Sequence, residues 1–138
     1  MDSSKTWDSG AKIGYQALQD LSAKDVYVAK LGYTSARAAT TWEDAYRILA
    51  LSLSNIANDV PNSPAEACNL TLKSMAATKT WDSGAKVGYA ALEFIGTTDN
   101  ADVRNFVKLI YNSAKAARTW EDAHKTIANG LTEMKNMF

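Results

Sequence analysis

An internal repeat constrains the fold of this chain more than any other feature of its sequence. The eight residues at 5–12, KTWDSGAK, recur letter for letter at 79–86, and a second pair of similar runs lies at 38–45 and 116–123. Each run contains one of the four tryptophans, Trp7, Trp42, Trp81 and Trp120. The tryptophans are separated by 35, 39 and 39 residues. We interpret the chain as a duplication that contains a finer unit of about 39 residues.

Each unit predicts a pair of α-helices joined by a short loop. A threonine before each tryptophan is a typical N-cap, and an acid or a serine follows it in the first turn. Small or apolar residues recur 3, 7, 11 and 14 positions after each tryptophan, which is one face of a helix. We therefore predict tryptophan helices at 7–21, 42–57, 81–95 and 120–135, and preceding helices at 24–39, 64–77 and 101–117.

The preceding helices carry a second repeated pattern. A leucine, a serine and an alanine stand 11, 7 and 4 positions before the tryptophan of each unit, and this spacing predicts that they share one buried face. In the last preceding helix these residues are Leu109, Ser113 and Ala116. The midpoint of the chain is marked by Ser63 and Pro64, which are an N-cap and a proline at the first helical position.

The predicted fold is all-α, a seven-helix array of repeated helical hairpins with internal pseudo-twofold duplication. We expect one domain over residues 1–138, with halves at about 5–57 and 79–135 joined by a loop and helix at 58–78. A hydrophobic fraction of 46% over 138 residues is enough for such a domain to bury a core.

Composition excludes several function classes. One cysteine, Cys68, cannot close an intrachain disulfide, and one histidine, His124, leaves too few ligands for a structural zinc site. No metal or cofactor is therefore expected. Fifteen basic and fifteen acidic residues give a net charge of zero, so nothing in the whole-molecule charge favours nucleic acid or an anionic membrane.

The sequence also predicts a soluble protein. Its longest uncharged stretches are shorter than the roughly 20 apolar residues that span a bilayer. The polar start at 1–5 lacks the apolar segment of a signal peptide. We expect an intracellular, cytoplasmic protein without a membrane partner.

The repeated polar residues are interpreted as structural. An acid follows each tryptophan and a base stands four residues later, so each pair is expected to stabilise its helix by roughly 0.2–0.5 kcal/mol. These pairs are Asp8 with Lys12, Glu43 with Arg47, Asp82 with Lys86, and Glu121 with Lys125. The tryptophans are interpreted as wedges between hairpins, and only an exposed indole would indicate a binding anchor.

The two reactive side chains also have structural interpretations. His124 stands where another unit has Tyr46, so it is expected to fill a groove with its ring. Cys68 is expected to be a small buried apolar residue. Because no nucleophile, base and orienting group occur together, the chain is predicted not to be an enzyme.

Two surfaces are candidates for binding. Basic residues recur seven positions apart on one helix face, as Lys30 with Arg37 and Lys108 with Lys115, and Tyr27 lies on the first of these helices. This pattern is typical of a surface for phosphate, nucleic acid or an acidic protein. At the C-terminus, three apolar residues are predicted to form a contact that docks a second copy: Met134, Met137 and Phe138.

The favoured function is a non-enzymatic helical-repeat binding module. Its partner is expected to be another protein, so the chain would act as an adaptor, inhibitor or regulator. Two alternatives stay open. One is binding of nucleic acid or phosphate through the basic stripes, and the other is binding of a small molecule in a cavity between helices, beside Tyr15 and Tyr89.

Overall fold

The computed structural model describes residues 6–138, which form seven α-helices and no strand. The helices are α1 (Trp7–Ser22), α2 (Tyr27–Ala38), α3 (Trp42–Ala57), α4 (Pro64–Ala76), α5 (Trp81–Ile95), α6 (Ala101–Lys115) and α7 (Trp120–Met137). The all-α prediction is confirmed. Residues 1–5, with the first lysine of the repeated run and the polar start, lie outside the described residues.

Local capping explains where most helices begin. The predicted cap at Ser63 is present, because its hydroxyl accepts a hydrogen bond from the Glu66 N–H. At the start of α6, the Asn100 side chain accepts hydrogen bonds from the second and third helical residues. The exception is α2, which begins three residues later than predicted. Asp25 has a left-handed backbone, with φ of 62°, and the Val26 N–H bonds back to the Leu21 carbonyl, so this segment is a turn.

The helices pack in two similar groups of three, bridged by α4. In the first group α1, α2 and α3 contact one another, and in the second α5, α6 and α7 do so. The groups meet where α2 packs against α5, while α4 packs against both α5 and α7. The tryptophan helices therefore have neighbours on several sides, and the predicted residues 3 and 7 positions after each tryptophan are buried in all four.

The core is built from these helical stripes. Side chains with no more than 1% exposure come from all seven helices, and they include Leu18, Leu31, Leu49, Met75, Leu92, Val103 and Leu131. Close approach depends on small residues at specific points. A Cβ on Gly84 would lie 2.5 Å from the His124 ring, so glycine lets α7 place that ring directly on α5.

The predicted apolar face is wrong in one helix. Leu31 and Ser35 of α2 are buried, as are Leu70 and Ser74 of α4, but Leu109, Ser113 and Ala116 of α6 are exposed. The buried face of α6 is rotated by one residue and consists of Val103, Val107, Ile110 and Ala114. The difference arises because α2 and α4 each pack against a tryptophan helix of a later unit, whereas α6 contacts only α5 and α7 appreciably.

No helix among residues 6–138 combines the length and the low polarity that crossing a membrane requires.

Candidate binding surface

The four tryptophans occupy the same structural position, the first residue of a helix. Before each one, a threonine in extended conformation accepts a hydrogen bond from the N–H of the third helical residue, at 3.1–3.3 Å. The predicted N-caps are therefore confirmed at Thr6, Thr41, Thr80 and Thr119.

The tryptophans are not the buried wedges that the sequence predicted. Trp7, Trp42, Trp81 and Trp120 expose 46%, 48%, 47% and 47% of their surface. The physical reason is their position, because side chains on a helix tilt toward its N-terminus. A side chain on the first helical residue thus extends past the end of the helix, whereas the buried stripe begins three residues later.

In the first group of helices, residues of α1 contact the tryptophan of α3, and residues of α3 contact the tryptophan of α1. The Tyr46 ring of α3 lies edge-on to Trp7, with centroids 5.1 Å apart and an interplanar angle of 67°. The Arg47 guanidinium lies 5.9 Å from the Trp7 ring, and the Lys12 ammonium of α1 lies 5.9 Å from the Trp42 ring. These are cation–π distances.

The second group repeats this arrangement between α5 and α7. The His124 ring lies edge-on to Trp81, with centroids 5.0 Å apart, which confirms the expectation that it fills the place of Tyr46. Lys125 lies 5.9 Å from the Trp81 ring and Lys86 lies 5.4 Å from the Trp120 ring. Each tryptophan face therefore carries one cation from the neighbouring helix.

Two of the four predicted acid–base pairs form ion pairs. Glu43 contacts Arg47 at 2.6 Å and Glu121 contacts Lys125 at 2.7 Å. In the other two units the acid is held by the capping threonine, whose hydroxyl lowers the pKa of Asp8 and of Asp82. The bases of those units, Lys12 and Lys86, lie over tryptophan rings instead.

A polar junction joins the two groups at the same end. The Ser83 hydroxyl of α5 donates a 2.8 Å hydrogen bond to the Asp44 carboxylate of α3 and accepts one from the Thr40 N–H at 3.2 Å. Lys79 contacts Glu43 at 2.8 Å, and this contact lowers the pKa of Glu43. The N-termini of α1, α3, α5 and α7 are therefore neighbours in that order. We call the four tryptophans that they carry the Trp row.

The residues of the predicted basic stripes do not form one free surface. Lys30 contacts Asp25 at 2.7 Å. Arg37 lies 5.8 Å from the Tyr33 ring, and Lys115 lies 4.6 Å from Tyr89 and 5.4 Å from Tyr111. The fourth base, Lys108, is exposed beside a surface groove that also contains Arg104 and Glu93.

The other predicted contact residues are divided between core and surface. Tyr27 packs against Phe94 of α5, with centroids 5.1 Å apart, and burial raises its pKa. Met134 is fully buried, so in this fold it cannot contact a partner. Met137 and Phe138 expose 62% and 37% of their surface.

A small groove adjoins one end of the Trp row. It has a volume of about 270 Å³, and Tyr89, Lys115, Arg118 and Trp120 are among the residues that line it. Elsewhere, burial raises the pKa of the Cys68 thiol to about 12, so this cysteine stays protonated at neutral pH. Among residues 6–138 no three histidine, cysteine or acidic side chains cluster as metal ligands would.

Comparison with known proteins found no matching protein family, no matching curated protein and no matching solved structure. The sequence already contained the signal for the Trp row, because each tryptophan follows an N-capping threonine and lies outside the helical stripe that starts three residues later.

Proposed function

We propose that this chain is a binding module that recognises another protein through the Trp row. The observation that carries the proposal is the equal exposure of the four indoles, each 46–48% exposed at one end of the helices. Tryptophan is the residue most enriched among the anchors of protein interfaces, and large exposed apolar patches mark interaction sites.

The exposed area is sufficient to anchor a complex. An aromatic side chain can bury 150–250 Å², so each half-exposed indole leaves on the order of 100 Å² for a partner to cover. The four together leave about 400 Å², which is about half of the ~800 Å² that one partner contributes to a standard interface. The polar and charged residues around the row would supply the rest as a rim.

The rings are also held in place before any partner arrives. Trp7 and Trp81 are each fixed by a neighbouring ring, and Trp42 and Trp120 each carry a lysine from the adjacent helix. Side chains that are already ordered lose less entropy on binding. A pre-organised surface of this kind is suited to recognition.

Charge along the row favours a protein over a polyanion. Each tryptophan is followed directly by an acid, and these acids are Asp8, Glu43, Asp82 and Glu121. The cations that lie over the rings are thus matched by carboxylates beside them. Phosphates would be repelled by those carboxylates, whereas a protein surface with mixed charges would be complementary to them.

Site-specific photo-crosslinking in extract of the source organism tests this proposal. A photo-reactive residue at Lys79, which contacts Glu43 between Trp42 and Trp81, should capture one discrete partner. The matched control is the same residue at Ala57, exposed at the far end of α3. The 16-residue α3 is about 24 Å long, so Ala57 lies at the end of the helix opposite Trp42. Equal capture at both positions, or none at Lys79, would contradict the proposal.

The groove beside Trp120 favours a second candidate, binding of single-stranded nucleic acid. Its described lining contains two bases, Lys115 and Arg118, and two rings, Tyr89 and Trp120, with no acid. Rings combined with cations are typical of surfaces on which unpaired bases stack. In a titration with a labelled oligonucleotide, Lys115→Glu should abolish salt-dependent binding and Arg37→Glu, at the equivalent position of the first group, should not. Unchanged binding by Lys115→Glu would exclude this candidate.

A further inference from the structure

Within the chain, α5 packs against α2. An exposed stripe of residues on α1, around Ile13, corresponds in the repeat to the α5 side of that interface, and an exposed stripe on α6, around Leu109, corresponds to the α2 side. We infer that this chain associates head to tail, with α1 of one copy docking on α6 of the next as α5 docks on α2 within the chain. This inference concerns self-association and does not depend on the Trp row binding a partner.

The internal interface shows which residues such a contact uses. On α5 the stripe is Ser83, Val87 and Phe94, spaced four and seven residues apart. Its two ends contact the first group of helices, since Ser83 bonds to Asp44 and Phe94 packs on Tyr27. Val87 lies between them with 0% exposure. On α2, Tyr27 contacts Phe94, and the loop after the helix contacts Ser83 through Thr40, so the two helices run antiparallel. Leu31 and Ala38 stand 4 and 11 residues after Tyr27, on the same face of α2, and the three residues define the α2 stripe.

The α5 stripe has a counterpart on α1. The identical runs align α1 with α5 at an offset of 74 residues, so Ser83, Val87 and Phe94 correspond to Ser9, Ile13 and Asp20. All three counterparts are exposed, and Ile13 exposes 48% of its surface. At this position of the repeat, Val87 of α5 is therefore buried and Ile13 of α1 is exposed.

The α2 stripe has a counterpart on α6. The runs at 38–45 and 116–123 align α2 with α6 at an offset of 78 residues, so Tyr27, Leu31 and Ala38 correspond to Asn105, Leu109 and Ala116. All three are exposed, and Leu109 exposes 63% of its surface. Apart from the Trp row and the last two residues, Ile13 and Leu109 are the large apolar side chains exposed among residues 6–138.

The polar part of the internal junction is also reproduced. Within the chain, the Ser83 hydroxyl is bonded to the Asp44 carboxylate. Their counterparts are Ser9 and Asp122, which are both exposed. A second copy that docks in the same way would place its Ser9 hydroxyl against Asp122. One docking geometry would therefore bury the apolar residues of both stripes and also form this hydrogen bond.

One difference indicates that the contact between copies is weaker than the internal one. The aromatic pair Tyr27 and Phe94 is replaced by Asn105 and Asp20, and α4, which bridges the two groups within the chain, has no counterpart at such a junction. Association should therefore be reversible and dependent on concentration. The contact uses different surfaces on the two copies, so it can propagate beyond a dimer or close a ring.

Sedimentation velocity on two surface variants and their mixture tests this inference. Ile13→Asp damages the α1 stripe and Leu109→Asp damages the α6 stripe, and each leaves the other stripe intact. The native chain should show a mass that rises with concentration beyond a dimer or to a closed ring. Each variant alone should stay monomeric, and an equimolar mixture should form dimers that grow no further.

Other outcomes would overturn the inference. A native chain that stays monomeric over the full concentration range contradicts it, and so does a variant that still self-associates alone, because that result indicates a symmetric contact of one stripe with itself. Circular dichroism should show native helix content in both variants, since the two side chains are exposed. Met137→Asp, at an exposed residue outside both stripes, is the control and should associate like the native chain.

Discussion

Ser83 of α5 donates a 2.8 Å hydrogen bond to the carboxylate of Asp44 on α3, and both residues are at least 99% buried. The second carboxylate oxygen of Asp44 has no hydrogen-bond partner in the described part of the chain. A buried carboxylate with a single side-chain donor makes the junction between the two helical groups sensitive to loss of that donor.

We predict that Ser83→Ala lowers the free energy of unfolding by about 1–3 kcal/mol, because it leaves the buried Asp44 carboxylate without that donor. Denaturant unfolding measures this change. The matched control is Ser9→Ala, since Ser9 has the same place in the repeated run and is exposed. Its change should be within about 0.5 kcal/mol. An equal decrease in the free energy of unfolding of the two variants would show that the Ser83–Asp44 hydrogen bond does not stabilise the fold.

The helix starts could be predicted from the sequence because they depend on local chemistry. A threonine or serine cap, and a proline at the first position of α4, mark them within a few neighbouring residues. The beginning of α2 was missed because it depends on the left-handed backbone of Asp25, which the spacing of apolar residues does not reveal.

The surface of α6 could not be predicted in this way. The pattern of Leu109, Ser113 and Ala116 is the same as in α2 and α4, but burial also requires a helix to pack on that face. Whether a neighbour is present is a non-local property of the fold. The exposure of the Trp row was missed for a geometric reason, because the prediction used the apolar character of the indole and not its place at the first helical residue, from which a side chain projects past the helix end.

The contact of His124 with Trp81 predicts a tolerated and a damaging substitution. His124→Tyr should change stability by less than about 1 kcal/mol, because Tyr46 makes the same edge-on contact with Trp7. Gly84→Ala should destabilise by about 1–3 kcal/mol, because its methyl group would lie 2.5 Å from the histidine ring. Thermal unfolding measures both changes. A greater loss in His124→Tyr than in Gly84→Ala would contradict the equivalence of the two groups.

The buried thiol of Cys68 predicts a pH dependence of stability. Its pKa rises from 9.0 to about 12 on burial, so above pH 9 the unfolded chain loses a proton that the folded chain retains. Relative to Cys68→Ala, the free energy of unfolding of the native protein should fall by up to about 1.4 kcal/mol for each pH unit above 9. Denaturant unfolding of both proteins at several pH values measures the difference. A difference that does not change with pH would indicate an accessible thiol.

Exposure of the Trp row predicts a simple fluorescence response. Since the four indoles expose 46–48% of their surface, acrylamide should quench the emission of the folded protein as one accessible population. A Stern–Volmer titration tests this expectation, with the unfolded protein as the upper reference. Emission with a large unquenched fraction would mean that some indoles are buried.

The claim that the Trp row recognises a protein partner is tested most directly by quantitative co-purification from extract of the source organism. Trp42→Ala combined with Trp81→Ala should reduce the amount of recovered partner at least tenfold, because the two substitutions remove about 2 kcal/mol or more of binding free energy. Met137→Ala, at an exposed apolar residue at the other end of α7, should retain it. A folded tryptophan variant that recovers the partner as well as the native protein does would contradict recognition through the Trp row.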